Sequence, residues 1–371
     1  LIFEDYVKKL RNPRSEVIFK IEILDQNENS ILDITDDMLD GSINVNLQNG
    51  ARRSASLSMI NINNKYTPNK NGLIWLNTKF KISSGLIVNG EEYLFSNGIY
   101  CLSEPETSSY FSDTTASFSL DDKWSYADGT LRGTLKADYI IPVGTNIGEA
   151  VKAIIVNELV DVKSPLIVPT SIISPYTLTL NRGDNFGDML IKLAEMISYE
   201  CFYDKNGQFK FQPVFDDNKK VPSWDYSTEE STYLGSSRKF DYTKVKNSVY
   251  VYGDNINGSQ VQGIAQDTYV FSQTNINKIG ERVIVFEDDI IFNNTLASER
   301  AAYELKKTTI IQESTSLNSV PLFHLDCGDI VTIEDKNNDL QRERYIISGM
   351  NFSLSAGSEM KVDVWKTRPL E

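Results

Sequence analysis

From residue 17 the chain reads Val-Ile-Phe-Lys-Ile-Glu-Ile-Leu, a largely alternating stretch that ends in a turn-forming cluster of Asp25, Gln26, Asn27, Glu28 and Asn29. A period of two puts successive side chains on opposite faces of a strand. The period recurs over residues 41–47 and 55–62, and shorter strand candidates lie at 80–82, 93–95, 99–102 and 115–120. Asn-Gly steps at 49–50, 71–72, 89–90 and 97–98 separate them. Many short strands with Gly and Asn punctuation predict a barrel or sandwich.

The period lengthens after residue 136. Asn146 and Glu149 form a capping-box-like start, after which Ile147, Val151, Ile154, Ile155 and Leu159 share one helical face. A second helix is predicted from Asn185, with Asp188 in its first turn and Phe186, Leu190, Leu193, Ala194 and Ile197 as its buried stripe. A hairpin follows: Cys201-Phe202-Tyr203, a turn at Asp204-Lys205-Asn206-Gly207, then Phe209-Lys210-Phe211. Strand patterns return at 247–253, 282–286, 328–333, 344–348 and 361–365, interrupted by one helix near 296–307 with Ala297, Ala301 and Leu305 spaced by four. The predicted class is mainly β with an α+β insertion. Its expected domains are a first β-barrel (1–135), two helices and a hairpin (136–215), and a second, similar β-barrel (216–371).

Charge narrows the function. Lys and Arg number 37 against 51 Asp and Glu, a net charge of −14. Phosphate binding needs clustered cations, and Arg52-Arg53 and Lys306-Lys307 are only isolated pairs. No apolar run is long enough for a membrane-spanning helix. Cys101, Cys201 and Cys327 lie far apart with no CxxC spacing, which predicts small core residues rather than disulfides or a zinc site.

Candidate chemistry is sparse. The one histidine, His324, sits in Pro321-Leu322-Phe323-His324-Leu325, so a His-dependent triad or a two-histidine metal site has nothing else to use. Carboxylate pairs at Asp121-Asp122, Glu229-Glu230 and Glu287-Asp288-Asp289 could in principle serve a glycoside hydrolase, but neighbours on a strand point to opposite faces. The runs 204–207 and 334–339 lack EF-hand spacing and read as polar turns. No catalytic, cofactor-binding or metal residue is expected. Two other readings remain: a carboxylate-based hydrolase of cell wall or capsule, and a carbohydrate-binding module using some of the 18 Tyr and 17 Phe.

Three segments resemble the tail-hub (baseplate-hub) proteins of long-tailed bacteriophages, a family that also supplies the N-terminal module of tail-associated lysins. The first is Arg53-Ser54-Ala55-Ser56-Leu57-Ser58-Met59 followed by Asn64-Lys65-Tyr66-Thr67-Pro68. The second is Phe186-Gly187-Asp188-Met189-Leu190 with the hairpin that follows, through Phe211. The third joins Ala301-Ala302-Tyr303-Glu304-Leu305, Pro321-Leu322, Gly328-Asp329-Ile330-Val331 and Tyr345-Ile346-Ile347. The resemblance implies two similar β-barrels per chain and a homotrimer whose quasi-sixfold ring docks under a tail tube. It also implies partners among tube, distal tail, tape-measure and tip proteins, a place at the virion tail tip after synthesis in the host cytoplasm, and no membrane insertion. An acidic lumen would let phage DNA pass without adhering. Any wall-degrading domain is expected on another chain, outside these 371 residues, or not at all.

Overall fold

The computed structural model describes residues 2–12, 15–111, 113–214, 220–256, 259–287, 291, 293–309 and 312–366. It forms two compact units, Leu1–Ser236 together with Ser316–Glu371, and Ser237–Thr315. The boundaries drawn from sequence near residues 135 and 215 both fall inside the first unit.

The first unit opens with helix α1 (Phe3–Leu10) and strands β1 (Val17–Leu24), β2 (Ser30–Asp33), β3 (Met38–Asn46), β4 (Arg53–Ile60), β5 (Lys79–Val88), β6 (Glu91–Ser109) and β7 (Thr114–Asp122). A helical part follows, with β8 (Tyr139–Ile141), α2 (Ile147–Ala153), β9 (Leu166–Ile167), β10 (Leu178–Leu180), α3 (Phe186–Met196), β11 (Tyr199–Tyr203) and β12 (Phe209–Pro213). After β13 (Trp224–Ser227) and β14 (Tyr233–Asp241) the chain builds the second unit from β15 (Ser248–Ile256), β16 (Ser259–Gln266), α4 (Ile276–Ile279), β17 (Val283–Glu287) and α5 (Asn294–Thr308). It returns through β18 (Gln312–Ser319), β19 (Ile330–Asp335), β20 (Leu340–Ser353) and β21 (Met360–Lys366).

The two β-rich thirds merge. Strand order runs β18-β21-β20-β3-β4-β7-β6-β5-β1-β2, with β19 also paired to β20 and β13 to β19. The join is antiparallel, Met350 opposite Val45 and Phe352 opposite Ile43. One apolar core spans both thirds, from Tyr6, Phe80 and Phe118 to Tyr345, Phe352 and Val364. Among the described residues the sheets are open; the closed barrels expected from the sequence are not found, because β20 lends one edge to β3 instead of closing with its own third. The mainly β class with an α+β part is what the structure shows.

Local chemistry explains most elements. Asn89 and Gly90, both at positive φ, make the tight β5–β6 turn. Asn97-Gly98, expected as a turn, instead lies within the 19-residue β6, where the register with β5 shifts between Ile82 and Ser83. Helix α2 is capped by Asn146, whose Oδ1 accepts from Glu149 N at 3.1 Å, and it continues into a π-turn over Ile154–Glu158. All five residues of its expected stripe are buried. Helix α3 starts with Asn185 accepting from Asp188 N at 2.8 Å, and α5 with Asn293 accepting from Leu296 N at 2.8 Å. In the second unit α5 packs on β16 so closely that a Cβ on Gly263 would lie 2.2 Å from the Ala297 backbone.

Candidate functional site

The residues that sequence offered for catalysis are dispersed. His324 is enclosed by Phe3, Tyr6, Phe95 and Trp224, with ring centroids 5.1–6.1 Å away, and neither ring nitrogen has a hydrogen-bond partner. Burial, reinforced by the positive field of Lys205, lowers its pKa to about 4. Among the described residues no carboxylate orients it, and it is a neutral, half-buried member of an aromatic cluster.

Asp121 points outward from β7, whereas Asp122 is buried and accepts backbone N–H bonds from Arg52 (2.7 Å), Arg53 (3.0 Å) and Trp124 (2.9 Å). Glu230 pairs with Arg11 at 3.1 Å. Asp204 folds the hairpin turn by accepting from Asn206 N and Gln208 N, and Asp335 accepts from Asn337 N at 2.9 Å. Glu287 ends β17; Asp288 and Asp289 lie outside the described residues. Among the described residues no group of three or more His, Cys, Asp and Glu side chains is placed to hold a metal ion. Cys101 and Cys201 are buried free thiols whose pKa values burial pushes up, Cys101 to about 11; Cys327 is half-buried.

Two charge clusters, unmarked in the sequence, tie the helical part to the sheet. In one, Glu28 meets Lys123 at 2.8 Å, Lys79 at 3.0 Å and Lys163 at 3.0 Å, while Lys123 also reaches Asp161 at 2.6 Å. Desolvation opposes ionisation of Glu28, but the three lysines outweigh it and hold the pKa at about 2. In the other, Arg52 pairs with Glu200 at 2.7 Å and lies over the Phe202 ring at 3.4 Å, and the buried Arg53 guanidinium binds Asp326. Glu28 reads as one more polar residue of a turn, and tertiary packing alone assembles these partners.

A further distinctive surface is the outer face of the large sheet. Inward-facing Ile43, Ala55, Leu57, Ala116 and Phe118 build the core. Opposite them, one cross-strand row reads Ser353–Ser42–Ser56–Ser119–Glu104 and the next reads Asp40–Ser58–Ser117–Glu106. A third runs Lys361–Asn351–Asn44–Ser54–Asp121, with a cation at its β21 end. On β3, β4, β7 and β6 these rows hold small hydroxyls, amides and carboxylates and no cation. An ordinary solvated sheet face mixes both signs of charge. The signal was present in sequence, since Ser54, Ser56 and Ser58 alternate with apolar residues on β4.

The architecture has solved counterparts. A 43 kDa tail protein of prophage MuSo2 from Shewanella oneidensis superposes with a TM-score of 0.65 at 14% identity, covering 95% of this chain and 99% of that one. This is the fold of phage tail proteins. A tail protein from Neisseria meningitidis MC58 shares it with a TM-score of 0.62 at 10% identity, covering 94% of this chain and 96% of that one. An Escherichia coli component of the type VI secretion system shares it with a TM-score of 0.52 at 10% identity, covering 97% and 78%. No family model and no curated protein matches the sequence.

Proposed function

We propose that this chain is a structural hub at the tip of a phage-type tail, with no reaction of its own. Three copies form a ring whose two β-rich thirds, acting as similar modules, offer six like contacts to a sixfold tail tube and a threefold face to the tip. The serine-rich face of β3, β4, β7 and β6 lines the passage for DNA. The cation-free face carries this part of the reading: small hydroxyls and fixed carboxylates leave a sliding polyanion nothing to pair with. Partners on this reading are the tube or distal tail protein, the tape-measure protein and the tip proteins. Electron microscopy of the assembled tail tests it. A threefold ring with this face on the lumen is the expected result; a monomer in the assembly, or this face turned outward, refutes it.

A further inference from the structure

The cluster around Glu28 is built for more than an ion pair. Lys123 Nζ lies 2.6 Å from Asp161 Oδ1 and 2.8 Å from Glu28 Oε1, and the three side chains are 2%, 4% and 0% exposed. The Tyr203 ring sits 5.0 Å from Nζ. The Gly207 carbonyl accepts from Nζ at 2.9 Å. We propose that Lys123 and Asp161 condense into an intramolecular amide (isopeptide) bond, with the Glu28 carboxylate holding Lys123 in place. The inference is independent of the tail-hub reading.

The chemistry needs a neutral amine beside a protonated carboxyl, reached by one proton transfer within the pair. Nζ is held in contact with the carboxyl group it must attack, so no encounter has to be made. The Lys123 ammonium passes a proton directly to Asp161, 2.6 Å away. The freed amine adds to Asp161 Cγ, forming the N–C bond. A second nitrogen proton passes to the departing hydroxyl, and the C–O bond breaks. An ammonium and a carboxylate thus become one amide and one water, with no oxidant or activating group required. The product keeps one N–H, and Gly207 O stands ready to accept it. Lys79 and Lys163 hold the Glu28 carboxylate in place beside Lys123. The bond would join the end of β7 to the segment after α2, stapling sheet to helical part covalently.

Intact mass of the purified full chain, denatured and reduced, tests this. The expected mass is one water below the sequence mass, and fragment mapping joins the peptide holding Lys123 to that holding Asp161. Asp161→Ala and Glu28→Gln chains should return to the full mass expected of each. A wild-type chain at full sequence mass after prolonged incubation overturns the proposal. So does a water loss that maps to a cyclised Asp40-Gly41 or Asp128-Gly129 step. Both of these outcomes are read on the wild-type chain, so poor folding of a variant does not blur them.

Discussion

Replacing Asp326 with Asn isolates one buried charge. Arg53 projects from β4 with its side chain 3% exposed; its Nη2 binds Asp326, whereas Nε and Nη1 have no hydrogen-bond partner. The substituted side chain would keep an oxygen for Cys327 N, which Asp326 Oδ1 now accepts at 2.8 Å, but would turn an amide group toward the guanidinium. Stranding one member of a buried pair costs about 3–5 kcal/mol. Because the Asp326 side chain is 27% exposed, some water reaches the site, which places the expected loss near the low end, about 3 kcal/mol. Urea unfolding followed by tryptophan fluorescence measures it, since Trp75, Trp124, Trp224 and Trp365 all belong to the first unit. The loss should persist in added salt, because burial shields the pair from counterions. Removing both charges with Arg53→Met and Asp326→Leu should recover most of it. The exposed pair Arg342–Asp225, 64% and 43% accessible, is the control: Asp225→Asn should cost below about 1 kcal/mol. An Asp326→Asn loss no larger than that of the control would refute the reasoning.

Three further outcomes can be checked. The His324 pKa falls from 6.5 to about 4 on folding, so the unfolded chain takes up a proton first; its stabilising contribution is complete above pH 6.5 and declines as pH falls toward about 4. His324→Phe should therefore flatten stability across that window, by about 3 kcal/mol at its full extent, as read from urea midpoints at stepped pH. Gly85→Val on β5 would put a Cβ 1.9 Å from the Tyr93 carbonyl oxygen and should abolish soluble, folded protein in a centrifugation and circular-dichroism assay. Ser56→Lys with Ser117→Lys places cations on exposed positions of the outer face; folding should be unchanged, while DNA retention in a low-salt filter assay rises from nothing to a measurable, salt-sensitive level.

What could be read from sequence was what is decided locally. Asn146, Asn185 and the Asp204–Gly207 turn were legible because cap, helix and turn each complete their hydrogen bonds within a few residues. The pairing of β20 with β3 left no such trace, since its partners are alternating strands that would suit many neighbours. The second unit was hidden for a related reason: β15–β17 and α5 look like more of the same β-rich third, and only their private core of Val249, Val251, Val261 and Ala297 sets them apart. The serine rows were visible as outward positions on single strands. Their shared lack of cations emerges only once the register aligns them.

The β3–β20 seam also sets a schedule. The flank of β3 is covered by a strand that leaves the ribosome long after it, once the helical part and the second unit have been made. Until then the nascent chain carries an open, hydrogen-bond-hungry edge beside a half-filled core, the kind of surface that recruits chaperones or misassembles. Folding of the sheet therefore doubles as a completeness check. A chain that stopped before residue 340 would lack the strand that covers the β3 edge.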